Sequence, residues 1–89
     1  MRLEAEFTTE PFHGEGDPPA HAVESLRVAQ AAGLTCDFGP LGTSVSGEDD
    51  VLLPALARVL ATALAHGASR ITLQVDRVDT GNGAQRADG

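Results

Sequence analysis

Glu4, Glu6 and Thr8 occupy every second position near the start of the chain. Thr35 and Asp37, then Ser44 and Ser46, then Thr72, Gln74 and Asp76 repeat that spacing in three later segments. If these segments are strands, a period of two puts carboxylates, hydroxyls and one amide on a single face of a sheet. Such a face has two readings. It can be a polar pocket, where carboxylates favour a cation and hydroxyls orient an amine or a heteroaromatic nitrogen. It can equally be the solvated side that antiparallel sheets commonly present. Arg2 stands at one corner of it.

Other chemistries find less support. His13, His21 and His66 fall on a loop, near a helix start and at a helix end, and no two have the i, i+4 spacing of paired ligands. They read as surface histidines. The single cysteine, Cys36, forms no internal disulfide or thiolate cluster, and alternation turns it towards the core as a small apolar residue. There is no Gly-x-Ser-x-Gly elbow, no phosphate loop ending in Gly-Lys-Ser/Thr and no C-x-x-C pair. The stacking aromatics of an RNA-binding sheet are missing, and Arg2 alone does not build the phosphate cradle of an acylphosphatase. Nothing pairs a nucleophile with a base. The reading is therefore non-catalytic and cofactor-free, with Glu6 and Asp37 the residual acid–base candidates.

Bulk composition narrows the partners. Thirteen carboxylates against six bases give a formal charge of −7. That disfavours nucleic acid, where neutralising phosphate supplies most of the affinity, and it disfavours an anionic membrane surface. Eighty-nine residues make one domain. Apolar residues are 42% of the chain, yet the only aromatics are Phe7, Phe12 and Phe38. A core of Leu, Val, Ile and Ala in a chain this short is modest, and association of subunits is the usual remedy. Met1-Arg2-Leu3-Glu4 has no apolar signal region. The run from Val51 to Gly67 carries Pro54, Arg58 and His66 and falls short of the ~20 residues that span a bilayer. The expectation is a cytosolic protein.

The elements that must position these residues follow from local pattern. Alternation predicts a strand over 2–9, ended by Glu10 to Pro19 with its prolines and glycines. Val23, Leu26 and Ala29 recur at helical spacing within 20–32, and Gly33 suits the stop. Leu34, Cys36 and Phe38 mark a second strand, Gly39-Pro40-Leu41-Gly42 a turn, and 43–46 a third strand in hairpin with it. Gly47-Glu48-Asp49-Asp50 places acids at the positive end of a second helix. That helix runs to about His66 with Leu52, Leu56, Val59, Leu60 and Ala63 inward. Pro54 near the first turn forfeits at most one hydrogen bond. Ser69 to Arg77 supplies the fourth strand, and 80–89 reads as a flexible tail.

The order βαββαβ predicts an α+β, ferredoxin-like sandwich over 1–79: a four-stranded antiparallel sheet with both helices on one face and strands one and three central. The helices would cover Leu3, Phe7, Cys36, Phe38, Val45, Ile71, Leu73 and Val75. Leu53, Ala57 and Leu64 form a second apolar stripe on the second helix, a feature of an interaction protein.

Gly39-Pro40-Leu41-Gly42-Thr43-Ser44-Val45-Ser46-Gly47-Glu48 resembles the hairpin signature of the thiamine-binding, YkoF-like family, in which a Pro-x-Gly-Thr turn enters strand three before an acidic helix start. Ala5-Glu6-Phe7-Thr8-Thr9-Glu10-Pro11-Phe12 resembles that family's first strand, and Gly67-Ala68-Ser69-Arg70-Ile71 its entry to strand four. The resemblance spans nearly all of 2–78. It implies a ferredoxin-like protomer in a homo-oligomer (dimer or tetramer) that binds thiamine or its hydroxymethyl-aminopyrimidine half without catalysis. It carries over Thr43 first, with Ser44 beside it, then Glu6 and Thr8. Asp37 joins them from the open face, and Phe12 as a ring that could stack on a pyrimidine. Strand phase decides whether Thr43 or Ser44 faces the ligand. The loop from Phe12 to Ala20 and Ser46 depart from the family pattern, the first being richer in Pro, Gly and acid and the second smaller.

Overall fold

The computed structural model describes residues 1–11, 16–39 and 42–78. Phe12, His13 and the tail over 80–89 lie outside the described residues. The elements are β1 (Arg2–Glu10), α1 (Ala20–Ala31), β2 (Thr35–Phe38), β3 (Thr43–Glu48), α2 (Asp49–Ala65) and β4 (Arg70–Arg77). The sheet order is β2-β3-β1-β4 and every neighbouring pair is antiparallel. This is the ferredoxin-like α+β arrangement, with β1 and β3 central.

Both helices end by the same device. Gly33 and Gly67 take φ values of +87° and +103°, which glycine adopts without the clash that a Cβ would bring. After α1, Gly33 N–H donates to Gln30 O and Leu34 N–H to Ala29 O. After α2, Gly67 N–H donates to Leu64 O and Ala68 N–H to Ala63 O. These are paired Schellman turns, which satisfy carbonyls the helix leaves bare. In each, the residue just past the glycine, Leu34 or Ala68, is buried. Helix end and core contact are therefore built together, by the glycine and the residue that follows it. At the start of α2, Asp49 and Asp50 sit in the first turn, as the dipole favours. Pro54 lies exposed inside that helix, which continues through it.

The core lies between the helices and the inner face of the sheet: Leu3, Ala5, Phe7 and Val45 from the strands, with Ala29, Leu34, Leu52, Ala55, Leu56 and Val59. Cys36 and Leu73 pack against it, half-buried. Burial of this kind stabilises by roughly 25 cal/mol per Å² of apolar surface.

Three expectations need correction. Phe38 and Val75 are each 40% exposed rather than covered, because they lie on edge strands that the two helices do not fully roof. On α1 the buried residues are His21, Ser25 and Ala29, while Val23 and Leu26 are only half-buried. The small Ser25 and Ala29 let the helix lie close, which the larger stripe would not. His21, expected at the surface, is 3% exposed. The second stripe on α2 is as expected: Leu53 is 50% and Leu64 57% exposed. Among the described residues no helix is long and apolar enough to cross a membrane.

Candidate functional site

Register aligns the even-numbered residues of β1 with polar residues on three other strands. Glu4 pairs with Asp76 on one side and Ser46 on the other, and Ser46 pairs with Thr35. Glu6 pairs with Gln74 and Ser44, and Ser44 with Asp37. Two rows of four residues result, Asp76–Glu4–Ser46–Thr35 and Gln74–Glu6–Ser44–Asp37. All eight line a concavity of about 250 Å³ on the sheet face away from the helices. Thr8 and Thr72 continue the face as a third, shorter row.

Four carboxylates in this small area, Glu4, Glu6, Asp37 and Asp76, make no ion pair among the described residues. The neighbouring cation, Arg2, donates from its guanidinium to Ser46 Oγ at 3.2 Å. The direct Glu4–Asp76 pairing places like charges opposite each other, which costs about 0.2–1 kcal/mol. Two unit charges ~5 Å apart in water repel by less than 1 kcal/mol, so the sheet tolerates the pair. A cation seated there would reverse the sign of that interaction. The face suits a small cation bearing N–H donors or ring nitrogens. It has no aromatic platform among its described residues, and it approaches the lower end of the ~300–1,000 Å³ of ligand pockets.

The structure divides the residues predicted for the site. Glu6, Thr8, Asp37 and Ser44 share the outer face, and Ser44 lies at the centre of the second row. Thr43 does not join them. It pairs with Phe7, points to the helix side and is 4% exposed. Strand phase thus puts Ser44, not Thr43, at the outer concavity. Phe12 lies outside the described residues. Glu4, Thr35, Ser46, Gln74 and Asp76 line the concavity beside the predicted set, and their alternation with apolar neighbours is the signal that finds them.

A second polar group sits behind the sheet. His21 Nδ1 is 2.7 Å from Thr9 Oγ1, and Ser25 Oγ donates to His21 O at 2.7 Å. The His21 Nε2 atom is buried and has no partner among the described residues. The i, i+4, i+8 run of His21, Ser25 and Ala29 was the available signal, masked by the more apolar Val23–Leu26 stripe. Cys36 is half-buried, and burial pushes its thiol above the ordinary range. That argues against a thiolate nucleophile. No group of three or more His, Cys, Asp or Glu among the described residues could hold a metal ion.

No protein-family model and no curated protein sequence matches this chain. Solved structures do. The chain is similar to protein SP2199 from Streptococcus pneumoniae, with a TM-score of 0.72 and 16% identity over 100% of both chains. It is similar to a Bacillus cereus protein described as domain of unknown function DUF77, with a TM-score of 0.65 and 21% identity over 90% of this chain and 78% of that one. It is also similar to the "putative thiamine biosynthesis/salvage protein" TM0486 from Thermotoga maritima, with a TM-score of 0.66 and 16% identity over 99% and 98%. At these identities the likeness shows a shared fold.

Proposed function

We propose that this chain is a non-catalytic binding protein for thiamine or its hydroxymethyl-aminopyrimidine half, acting as a carrier, buffer or sensor. The observation that carries this reading is the outer concavity. It sets Glu4, Glu6, Asp37 and Asp76 around Ser44, Ser46 and Gln74, with no ion-paired cation among the described residues to neutralise them. Thiamine's thiazolium carries a permanent positive charge, and its aminopyrimidine needs donors and acceptors. The hairpin resemblance supports the same ligand class, and so does the fold shared with a protein named for thiamine biosynthesis or salvage. The concavity is open to solvent, so a single protomer would cover only part of such a ligand. A homo-oligomer in which a second subunit closes the site accords with that geometry.

Calorimetric titration with thiamine, then with each half separately, tests the reading. Saturable binding that Glu6→Gln and Asp37→Asn weaken at least tenfold is expected. Binding that is undiminished in both variants, or no heat with any of the three compounds, rules the outer site out. A second reading rests on Leu53 and Leu64, large apolar residues exposed on α2. It makes the chain an oligomeric interaction or regulatory protein without a small-molecule ligand. A chain that is monomeric in light scattering at micromolar concentration would oppose it.

A further inference from the structure

The sheet has two outer strands, and their free edges differ. β2 offers four residues and is followed in sequence by Gly39-Pro40, so its edge is short. β4 offers eight, in unbroken register with β1 from Glu10↔Arg70 to Leu3↔Arg77. It holds no proline, lysine or glycine, and no bulge interrupts it. Its helix-side residues Ile71, Leu73 and Val75 are apolar, and Val75 is 40% exposed. Proteins usually blunt such an edge with one of these devices, because an open row of N–H and C=O groups is a template for another strand.

Hydrogen bonding fixes which groups are open. Val78 N–H donates to Arg2 O at 2.9 Å. Bonded and non-bonded positions alternate along an antiparallel pair. The even positions of β4 therefore spend their backbone groups on β1, and Ile71, Leu73, Val75 and Arg77 aim theirs at the open edge.

A second copy of β4 fits that edge best in one register. Two antiparallel copies related by a two-fold axis keep like faces together only if the axis passes through a residue. An axis at Leu73 sets Leu73 against its own copy and Ile71 against Val75, all apolar and all able to exchange backbone bonds. It also sets Thr72 against Gln74 and Arg70 against Asp76. Arg70 and Asp76 are exposed, and neither makes an ion pair among the described residues, although Glu10 stands across from Arg70 on β1. The two-fold makes the Arg70–Asp76 contact twice. An axis at Gln74 would set Ile71 against Arg77 and Arg70 against Val78. One at Thr72 would set Arg70 against Gln74. Neither brings opposite charges together.

We propose that β4 is an assembly edge: two copies of this chain join through antiparallel β4 strands, centred on Leu73, into one continuous sheet. Arg70 of each copy sits beside the partner's Asp76. Asp76 lines the outer concavity opposite Glu4, so a partner residue enters the wall of that site and relieves its like-charge pair. Glu4, Glu6 and Asp37 are left to face the centre. Exposed ion pairs add little affinity, so the charges select the register while the ladder and the apolar residues hold the copies together. The pairing is independent of any ligand.

Sedimentation equilibrium of the ligand-free full chain, over about a hundredfold range of concentration, tests this. A monomer–dimer equilibrium is expected. Arg70→Asp and Asp76→Arg should each weaken the dimer about tenfold, since each sets like charges opposite one another twice. Combined in one chain, they should restore it to within about threefold of the parent, because every pair is again opposite in sign. Val75→Pro removes an N–H from the open edge and none from the ladder with β1, and should give a folded monomer. If that variant fails to fold, the charge exchange still decides. A monomeric parent, single variants as tight as the parent, or a double variant no tighter than the singles overturns the proposal. A dimer that Leu53→Ser weakens and the charge variants do not overturns it too, and places the interface on α2.

Discussion

The two sides of this sheet put polar residues to different ends. On the outer face, Glu4, Glu6, Ser44 and Asp37 stand in water, which meets any hydrogen-bonding need they have. On the helix side, Thr43 from β3 and His21 from α1 are cut off from water and depend on whatever the fold supplies. A polar residue outside is cheap to keep and cheap to lose, whereas one inside must be answered. Polarity alone therefore says little about function here. Position relative to the helix layer decides how much a polar group reveals.

Substitutions sharpen this contrast in order of size. Phe7→Ala, at 2% exposure in the core, should destabilise by about 3–5 kcal/mol in urea unfolding. A loss below ~1 kcal/mol would mean that the inner layer is not packed as described. Gly33→Ala forces an L side chain to a φ of +87° and should cost about 1–2 kcal/mol by the same assay. Glu4→Gln relieves the repulsion across from Asp76 and should stabilise by roughly 0.2–1 kcal/mol, an effect that added salt diminishes. Destabilisation instead would show that Glu4 has a favourable partner. Ser44→Ala, on the exposed face, should stay within about 0.5 kcal/mol of the parent.

The remaining prediction concerns Cys36. Its folded thiol titrates above the ordinary value because burial disfavours the thiolate. The unfolded chain then loses that proton at lower pH than the folded one. Stability linked to Cys36 is fully present below the ordinary thiol pKa of about 8.5 and falls as pH rises above it. Urea midpoints from pH 8 to 10 for the parent and Cys36→Ala check this, with a shallower decline expected for the variant.

Much of the outer face was legible because a period of two, once anchored by Leu3, Ala5 and Phe7, assigns every neighbour to a side. The third strand was harder. Gly42, Thr43, Ser44, Ser46 and Gly47 are all small or polar, and Val45 alone marks the phase. The family resemblance pointed to Thr43 while alternation pointed to Ser44, and the two residues prove to lie on opposite faces. His21 was not legible as a buried residue. Two stripes on α1 competed, and the less apolar one won because Ser25 and Ala29 are small, a preference set by the approach of helix to sheet rather than by hydrophobicity. Phe38 and Val75 show the converse. Their apolar character fitted a core position, but two helices cannot fully roof four strands, and edge residues stay partly bare.

The twin endings of α1 and α2 bear on how this architecture can vary in length. In each junction only a cap residue and a glycine, Ala32–Gly33 or His66–Gly67, separate the helix from the side chain that re-enters the core, Leu34 in one case and Ala68 in the other. An inserted residue would swing that side chain towards solvent and shift the register of β2 or β4 with it. Insertions, affinity tags and fusion points should therefore be rejected at both junctions, and natural length variation among chains of this design should accumulate elsewhere.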